Sequence, residues 1–364
     1  MTRADIARIL YKAINADVLT QTVYGNRSEG VVEQGTTILA KFHDIYRYRG
    51  IFTGCALSCI TDELLNLAPG NVQIDGKIFL CDVPGAERFL GMYVEYYVKK
   101  QPDGEEKIVA VTAHRKNIVT TVTAEDIFDF SGNTFRYETE SGGEDRVYIS
   151  KTADIVYNGK ALRNYSDKDL IPEEGYLTFI DNNNDGEAEV LLVHARKNGV
   201  VNYVNLTEET VYFKNGAGKL SFSAQNDDVV FTSAQSGERL SLSDLREWNV
   251  LTYEQSKSAG RQVIRVLASD KSVRGVVSQI DDDGAVIDGV QYKFSPYMNK
   301  SLLKTGDTVI VYLDAADKIA ALDTENTFSV KYGYCTKMNK DKGIDNDVSV
   351  KIFTSAGDFR VYPL

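Results

Sequence analysis

Two stretches of this chain, Tyr48–Val111 and Ser272–Asp323, carry the same four-part pattern in the same order. A chain that repeats a unit of roughly fifty residues is constrained to fold as an array of that unit. Each copy opens on Arg-Gly, as Arg49-Gly50-Ile51 and Arg274-Gly275-Val276. Next comes a run ending in Ile-Asp-Gly with an aromatic beyond it: Ile74-Asp75-Gly76 with Phe79, and Ile287-Asp288-Gly289 with Tyr292. Asp-Gly between alternating runs signals a two-residue hairpin, because both turn positions need positive φ. A β-branched and aromatic stretch follows, Met92–Val98 and Thr308–Leu313, and a short apolar strand closes each copy, Ile108–Val111 and Ile319–Leu322. Val309, Val311 and Leu313 alternate with Thr308, Ile310 and Tyr312, as in a strand with one buried face. Four or five short strands in such a unit predict a small closed or half-closed barrel.

The fold class expected is therefore mainly β: tandem small β-barrel or β-sandwich modules, one N-terminal amphipathic helix and a few short helices. Composition agrees, with 21 Tyr and 15 Phe against 6 Pro and one Trp. At 364 residues the chain is too long for one small core. The spacing of strand and turn signals divides it into a helix (1–20), a connector (21–44), barrel module 1 (45–116), a β module with an Asp/Asn-rich hairpin (117–205), a further β module (206–270), barrel module 2 (271–324) and the start of another β unit (325–364). Within these, strands are expected at Thr36–Lys41, Arg136–Thr139, Arg146–Ile149 and Val263–Leu267, and short helices at Thr61–Leu67, Ala86–Leu90 and Ser243–Trp248, the last burying Trp248.

A formal net charge of −11 argues against sequence-independent nucleic-acid binding, which needs clustered Lys and Arg. No run of eighteen apolar residues marks a membrane-spanning helix. The N-terminus lacks a basic-then-apolar leader, so a secreted form is expected to be a mature piece or a fragment. Cys55, Cys59 and Cys81 lie close in sequence, but their spacing lacks the tight zinc knuckle; buried thiols are the expectation. His43, His114 and His194 are scattered.

The first segment reads as an amphipathic helix. Thr2 caps it with Asp5, and Ile6, Ile9, Leu10, Ala13 and Ile14 form one apolar stripe that must dock on the first barrel, on upstream chain or on another molecule. Thr2-Arg3-Ala4-Asp5-Ile6 resembles the Thr-Arg-Ala-Glu signature that opens the last helix of S-layer homology repeats, with Asp5 where that family usually has Glu. The resemblance covers about the first sixteen residues. It implies a bacterial cell-surface location, cell-wall polysaccharide as a partner, and a part for Thr2 and Arg3 in binding that polymer; a solvated first-turn residue is the plainer reading of Arg3. The β modules resemble the stalk-like regions that follow such repeats in large surface proteins.

One local motif carries chemistry. Gly175–Ile180 and Val190–Val193 flank Asp181-Asn-Asn-Asn-Asp-Gly-Glu-Ala-Glu189. Oxygens at loop positions one, three and five, Gly at six, a carbonyl at seven and an acid at nine suit Ca2+, held by Asp181, Asn183, Asp185, the Glu187 carbonyl and Glu189. Leu192 occupies position twelve, so the loop is not an EF-hand; it resembles the calcium-binding hairpin loops of surface repeat proteins. A polar hairpin holding no metal has the same composition.

No P-loop, dinucleotide fingerprint, nucleophile elbow or zincin helix occurs. Ser301–Lys304 matches SxxK and Lys304–Gly306 matches KTG, but the two overlap in one turn, whereas penicillin-recognising enzymes draw them from distant segments. The expectation is a non-enzymatic structural or scaffold segment of a bacterial cell-surface protein, its partners cell-wall polysaccharide or other surface proteins. A carbohydrate- or protein-binding surface module, using Tyr93, Tyr96 and Tyr97 as a platform, is the alternative; a phage or pilus subunit is a third reading.

Overall fold

The computed structural model describes residues 2–24, 27–61, 67–257, 260–323, 328–329, 333–340, 348–354 and 359–363. The protein is mainly β, with several sheets, a small closed barrel and few helices. The chain forms two compact units: Met1–Lys197 with Phe222–Val230 and Tyr253–Arg265, and Asn198–Ser221 with Phe231–Thr252 and Val266–Leu364.

In the first unit, strand Ile45–Cys55 pairs with Asn71–Ile74, which pairs with Lys77–Cys81, which runs parallel to Glu106–Ala113. That strand pairs with Tyr93–Lys100, which returns to Ile45–Cys55 and closes a five-stranded barrel. Phe52, Val72, Ile74, Phe79, Val94, Val98 and Ile108 fill it. Each such side chain contributes about 1.5–3 kcal/mol of burial. The short helix Ala86–Phe89 is a 3-10 turn that packs Ala86, Phe89 and Leu90 onto this core.

The second unit contains the recognised copy. Ser272–Ile280 pairs with Gly284–Ile287 and with Asp307–Leu313; Gly284–Ile287 pairs with Val290–Lys293, and Asp307–Leu313 with Ile319–Leu322. A parallel bridge from Phe294 to Ile319 stands where the first barrel has a parallel strand pair.

The register of the two copies matches residue for residue at the motif. Gly50 lies opposite Val94 and Gly275 opposite Val309. Phe52 pairs with Ile74 and Val277 with Ile287, and an irregularity follows in both ladders. The Asp-Gly turns have φ of 46° and 79° at Asp75 and Gly76, and 48° and 82° at Asp288 and Gly289, the left-handed pair a type I′ turn requires. Each turn aspartate reaches back to the opening strand. Asp75 Oδ1 accepts from Ile51 N at 2.9 Å and Asp288 Oδ1 from Val276 N at 2.8 Å. The Arg-Gly glycine makes the room: a Cβ on Gly50 would lie 2.2 Å from Asp75 Oδ2, and one on Gly275 2.6 Å from Asp288. The two halves of the motif, some distance apart in sequence, are one hydrogen-bonded lock.

The same strand arrangement recurs twice more. Ile118–Thr123 pairs with Gly175–Asp181, which pairs with Glu187–Ala195. In another sheet Lys197–Asn205, Val250–Gln255 and Val263–Ser269 are neighbours in that order. Before the fourth-strand equivalent of every copy sits a 3-10 turn: Ala86–Phe89, Asp167–Leu170, Leu242–Asp244 and Lys300–Leu302.

Several local expectations are corrected. Thr36–Lys41 is not a strand. Asp17–Tyr24 and Arg27–Thr37 form a hairpin, and Ile38–His43 is a second α-helix, begun by Thr37 Oγ1 accepting from Ala40 N at 3.2 Å. The turn near Trp248 is confined to Leu242–Asp244 and capped by Ser241 with Asp244. Trp248 is half-buried at φ 70°, stacked on Tyr312 with ring centroids 4.7 Å apart and covered by Lys214. Tyr96 and Tyr97 are both buried, so no Tyr93–Tyr97 platform is presented. The helix expected at Thr61–Leu67 falls largely outside the described residues.

The N-terminal helix, Arg3–Ile14, is capped as expected by Thr2 and Asp5. It meets the barrel through polar groups, not through its stripe. Tyr11 Oη donates to Glu95 Oε1 at 2.6 Å, and Tyr97 Oη donates to Asn15 Oδ1 and to Glu95, both at 3.3 Å. Arg49 completes the cluster around this carboxylate. Ile6, Ile9 and Leu10 are exposed. Burial pushes the Glu95 carboxyl up, but the bonds from Tyr11 and Arg49 outweigh it and leave it lowered. The Glu95 bond pushes the Tyr11 hydroxyl up to about 12. The Glu95 contribution is therefore full above the ordinary carboxylate pKa and lost as pH falls through the lowered value. The Tyr11 contribution is full below its ordinary value and lost as pH rises through about 12. Tyr11→Phe is expected to raise amide exchange across Arg3–Ile14 several-fold while moving global stability by no more than about 1 kcal/mol, since the contact is half-exposed.

Candidate metal centre

The Asp181 loop joins Gly175–Asp181 to Glu187–Ala195, two central strands of their sheet. Phe179, Leu191 and Val193 are fully buried beneath it, which fixes both ends of the loop. Asn184 and Gly186 turn the chain with φ of 64° and 96°. The curl points main-chain donors at Asp181. Its Oδ1 accepts from Asn183 N at 3.1 Å and Asn184 N at 2.6 Å, and its Oδ2 from Gly186 N at 2.9 Å.

Carboxylate oxygens of Asp181, Asp185 and Glu189 lie within 4.8 Å of one another, the one such group of metal-ligating side chains among the described residues. Like charges at that spacing repel by about 1–4 kcal/mol per pair, depending on how far water screens them. A divalent cation relieves that repulsion. Asn183 now stands between them: its Nδ2 donates to Asp185 Oδ2 at 2.9 Å and Glu189 Oε1 at 2.5 Å. Turning that amide over presents Oδ1 in place of Nδ2, an assignment the hydrogen-bond network decides. Glu187 keeps its side chain in solvent, and its N donates to Asp185 Oδ1 at 3.0 Å. That bond and the Asn183 amide hold the Asp185 carboxyl below its ordinary range. Three carboxylates and an amide make an all-oxygen donor set, suited to a hard cation such as Ca2+ and unsuited to a thiophilic one.

Asn182 is a residue the sequence reading passed over. Its Nδ2 donates to Gly91 O at 2.9 Å and its Oδ1 accepts from Tyr93 N at 2.8 Å, both in the first barrel. Its own N donates to Glu189 Oε2 at 2.6 Å. Ile180 and Val190 at the loop's base also pack into the first barrel's core. The acidic loop is thus tied to the junction between two modules. Nothing local in the sequence marks this, because the partners are about ninety residues away.

The same position of the later barrel copy holds Asp314, which is buried. Ala316 N and Lys318 N donate to its Oδ1, and Asn198 Nδ2 to its Oδ2, all at 2.9 Å. Burial pushes this carboxyl up in spite of those bonds. Lys318 stands where the Asp181 loop has Asp185, and the one further acid of the turn, Asp317, pairs with Lys271.

Of the other sequence candidates, Thr2 is the helix cap and Arg3 is an exposed first-turn residue. Cys55 and Cys81 are half-buried, Cys59 is buried and Cys335 is exposed. His194 stacks on Tyr176 and lies 3.4 Å from Glu254, which also pairs with Arg196. His114 meets Tyr93 edge-on, and His43 ends the second helix. No helix among the described residues is long and apolar enough to cross a membrane. No family model matches the chain, and no curated protein matches it.

Proposed function

We propose that this chain is a non-catalytic scaffold segment of a bacterial cell-surface protein, stiffened by Ca2+ at the Asp181 loop. The observation that carries this reading is the tie from the acidic loop through Asn182 to the neighbouring barrel. A cation held by Asp181, Asp185 and Glu189 would fix Glu189, hence Asn182, hence the junction. Small β modules in tandem give reach because each depends chiefly on its neighbours, and a cation at a junction stiffens such an array where it would otherwise bend. Thr2 and Arg3 are the proposed contacts to cell-wall polysaccharide, resting on the likeness of Thr2–Ile6 to an S-layer homology signature.

Protease treatment of intact producing cells tests the location. Peptides of this chain are expected in the supernatant before lysis, and in greater yield with chelator than with calcium. Peptides recovered only after lysis contradict the surface reading.

A further inference from the structure

The mouth of the first barrel holds a cavity of about 360 Å3, within the size range of small-molecule sites. Cys55, Val72, Cys81 and Val83 give it apolar walls. Two opposite charges also line it, Arg265 and Glu87. Arg265 Nη2 donates to Leu57 O at 3.0 Å and to Ser58 Oγ at 2.7 Å, both neutral acceptors. Among the described residues no ion pair joins Arg265 to Glu87; Arg265 also acts electrostatically on the Glu254 carboxylate. Both charges act on the Cys55 thiol, which burial pushes up first of all, so both fields reach the cavity floor.

We propose that this cavity binds a small amino acid in its zwitterionic form, with the carboxylate on Arg265, the ammonium on Glu87 and an apolar side chain against Cys55, Cys81 and Val83. A simple anion would leave Glu87 facing like charge, and a simple cation would do the same for Arg265. A ligand carrying both charges on one carbon satisfies the pair at once, and the apolar walls select its side chain. A half-buried guanidinium whose hydrogen bonds go to the neutral Leu57 O and Ser58 Oγ gains from a carboxylate, because charge-assisted bonds are about twice as strong as neutral ones. This site is separate from the Asp181 loop and does not depend on the scaffold reading.

Calorimetric titration of the full chain with L-leucine tests it, beside N-acetyl-leucine and leucine amide, each lacking one charge. Leucine is expected to bind, and each derivative to bind at least about tenfold more weakly, as loss of a charged hydrogen bond implies. Glu87→Gln, an exposed position whose change leaves folding intact, is expected to weaken leucine about tenfold and leave N-acetyl-leucine unaffected. Leucine is also expected to slow maleimide labelling of Cys55 and Cys81 in a Cys335→Ser background. Absence of both heat and thiol protection with leucine, valine, methionine and phenylalanine overturns the proposal, as does leucine affinity unchanged in Glu87→Gln.

Discussion

Gly275→Ala is expected to destabilise its module by about 2–3 kcal/mol, the upper part of the range for overpacking a well-packed site. The added carbon would lie 2.6 Å from Asp288 and 2.7 Å from Ile287 Cγ2. Asp288 cannot retreat without giving up the bond from Val276 N. Asp288→Ala alone is expected to cost about 1 kcal/mol, the worth of that bond. The double variant is expected to cost less than the sum, because removing the carboxylate removes most of the clash. Gly50→Ala should behave alike, its Cβ falling 2.2 Å from Asp75 Oδ2. Urea denaturation of Gly275→Ala, Asp288→Ala, Gly50→Ala and Asp75→Ala, and of the doubles Gly275→Ala with Asp288→Ala and Gly50→Ala with Asp75→Ala, measures the coupling directly. Additive costs would mean that the two halves of the motif are independent.

Asn158→Ala is expected to cost about 4 kcal/mol, more than an ordinary turn substitution. Asn158 sits in a tight Asn-Gly turn at φ 47°, which Asn tolerates and Ala does not. Its side chain is buried and makes three bonds to main chain. Nδ2 donates to Ala195 O and to Gln255 O, each at 2.9 Å, and Oδ1 accepts from Ala195 N at 2.8 Å. Truncation leaves buried main-chain groups without a partner, at about 1–3 kcal/mol each. Asn158→Gly should restore the backbone preference and recover about 1 kcal/mol, separating strain from lost bonding. Equal stability of the two variants in denaturant melts would place the whole cost in the hydrogen bonds.

These two positions mark where the sequence was legible and where it was not. The Arg-Gly and Ile-Asp-Gly elements stand out because their turn chemistry is local, and they located two copies of the module. The other two copies share the strand pairing but lack the Arg-Gly and Ile-Asp-Gly sequence: the one opened by Ile118–Thr123 turns at Asn158-Gly159 instead, at the end of the long strand Glu144–Tyr157. Nothing local marks the weight that Asn158 carries, since its partners Ala195 and Gln255 lie far along the chain. The helix Arg3–Ile14 followed from its periodicity, but which face meets the barrel did not. Its apolar stripe predicts inward packing, whereas the Tyr11 and Asn15 contacts with Glu95 and Tyr97 turn that stripe outward. Thr36–Lys41 read as a strand from its β-branched residues, and the cap at Thr37 decided for helix. In the candidate metal loop, the regular spacing of oxygens picked out Asp181, Asp185 and Glu189, whereas Asn182 looked interchangeable with its neighbours.

Thermal unfolding with calcium and with chelator, for the wild-type chain and an Asp181→Ala, Asp185→Ala variant, tests the cation-stiffened scaffold most directly. Loops of this kind in extracellular modules bind at about 10⁻⁴–10⁻³ M. Calcium at a hundred times the Kd stabilises the native state by about 2.7 kcal/mol, a rise in Tm of roughly 5–10 °C for a unit of this size. The account predicts that rise in the wild type, none in the variant, and a smaller one in Asn182→Ala, where the loop loses its hold on the barrel. Equal melting with calcium and chelator in the wild type would contradict it.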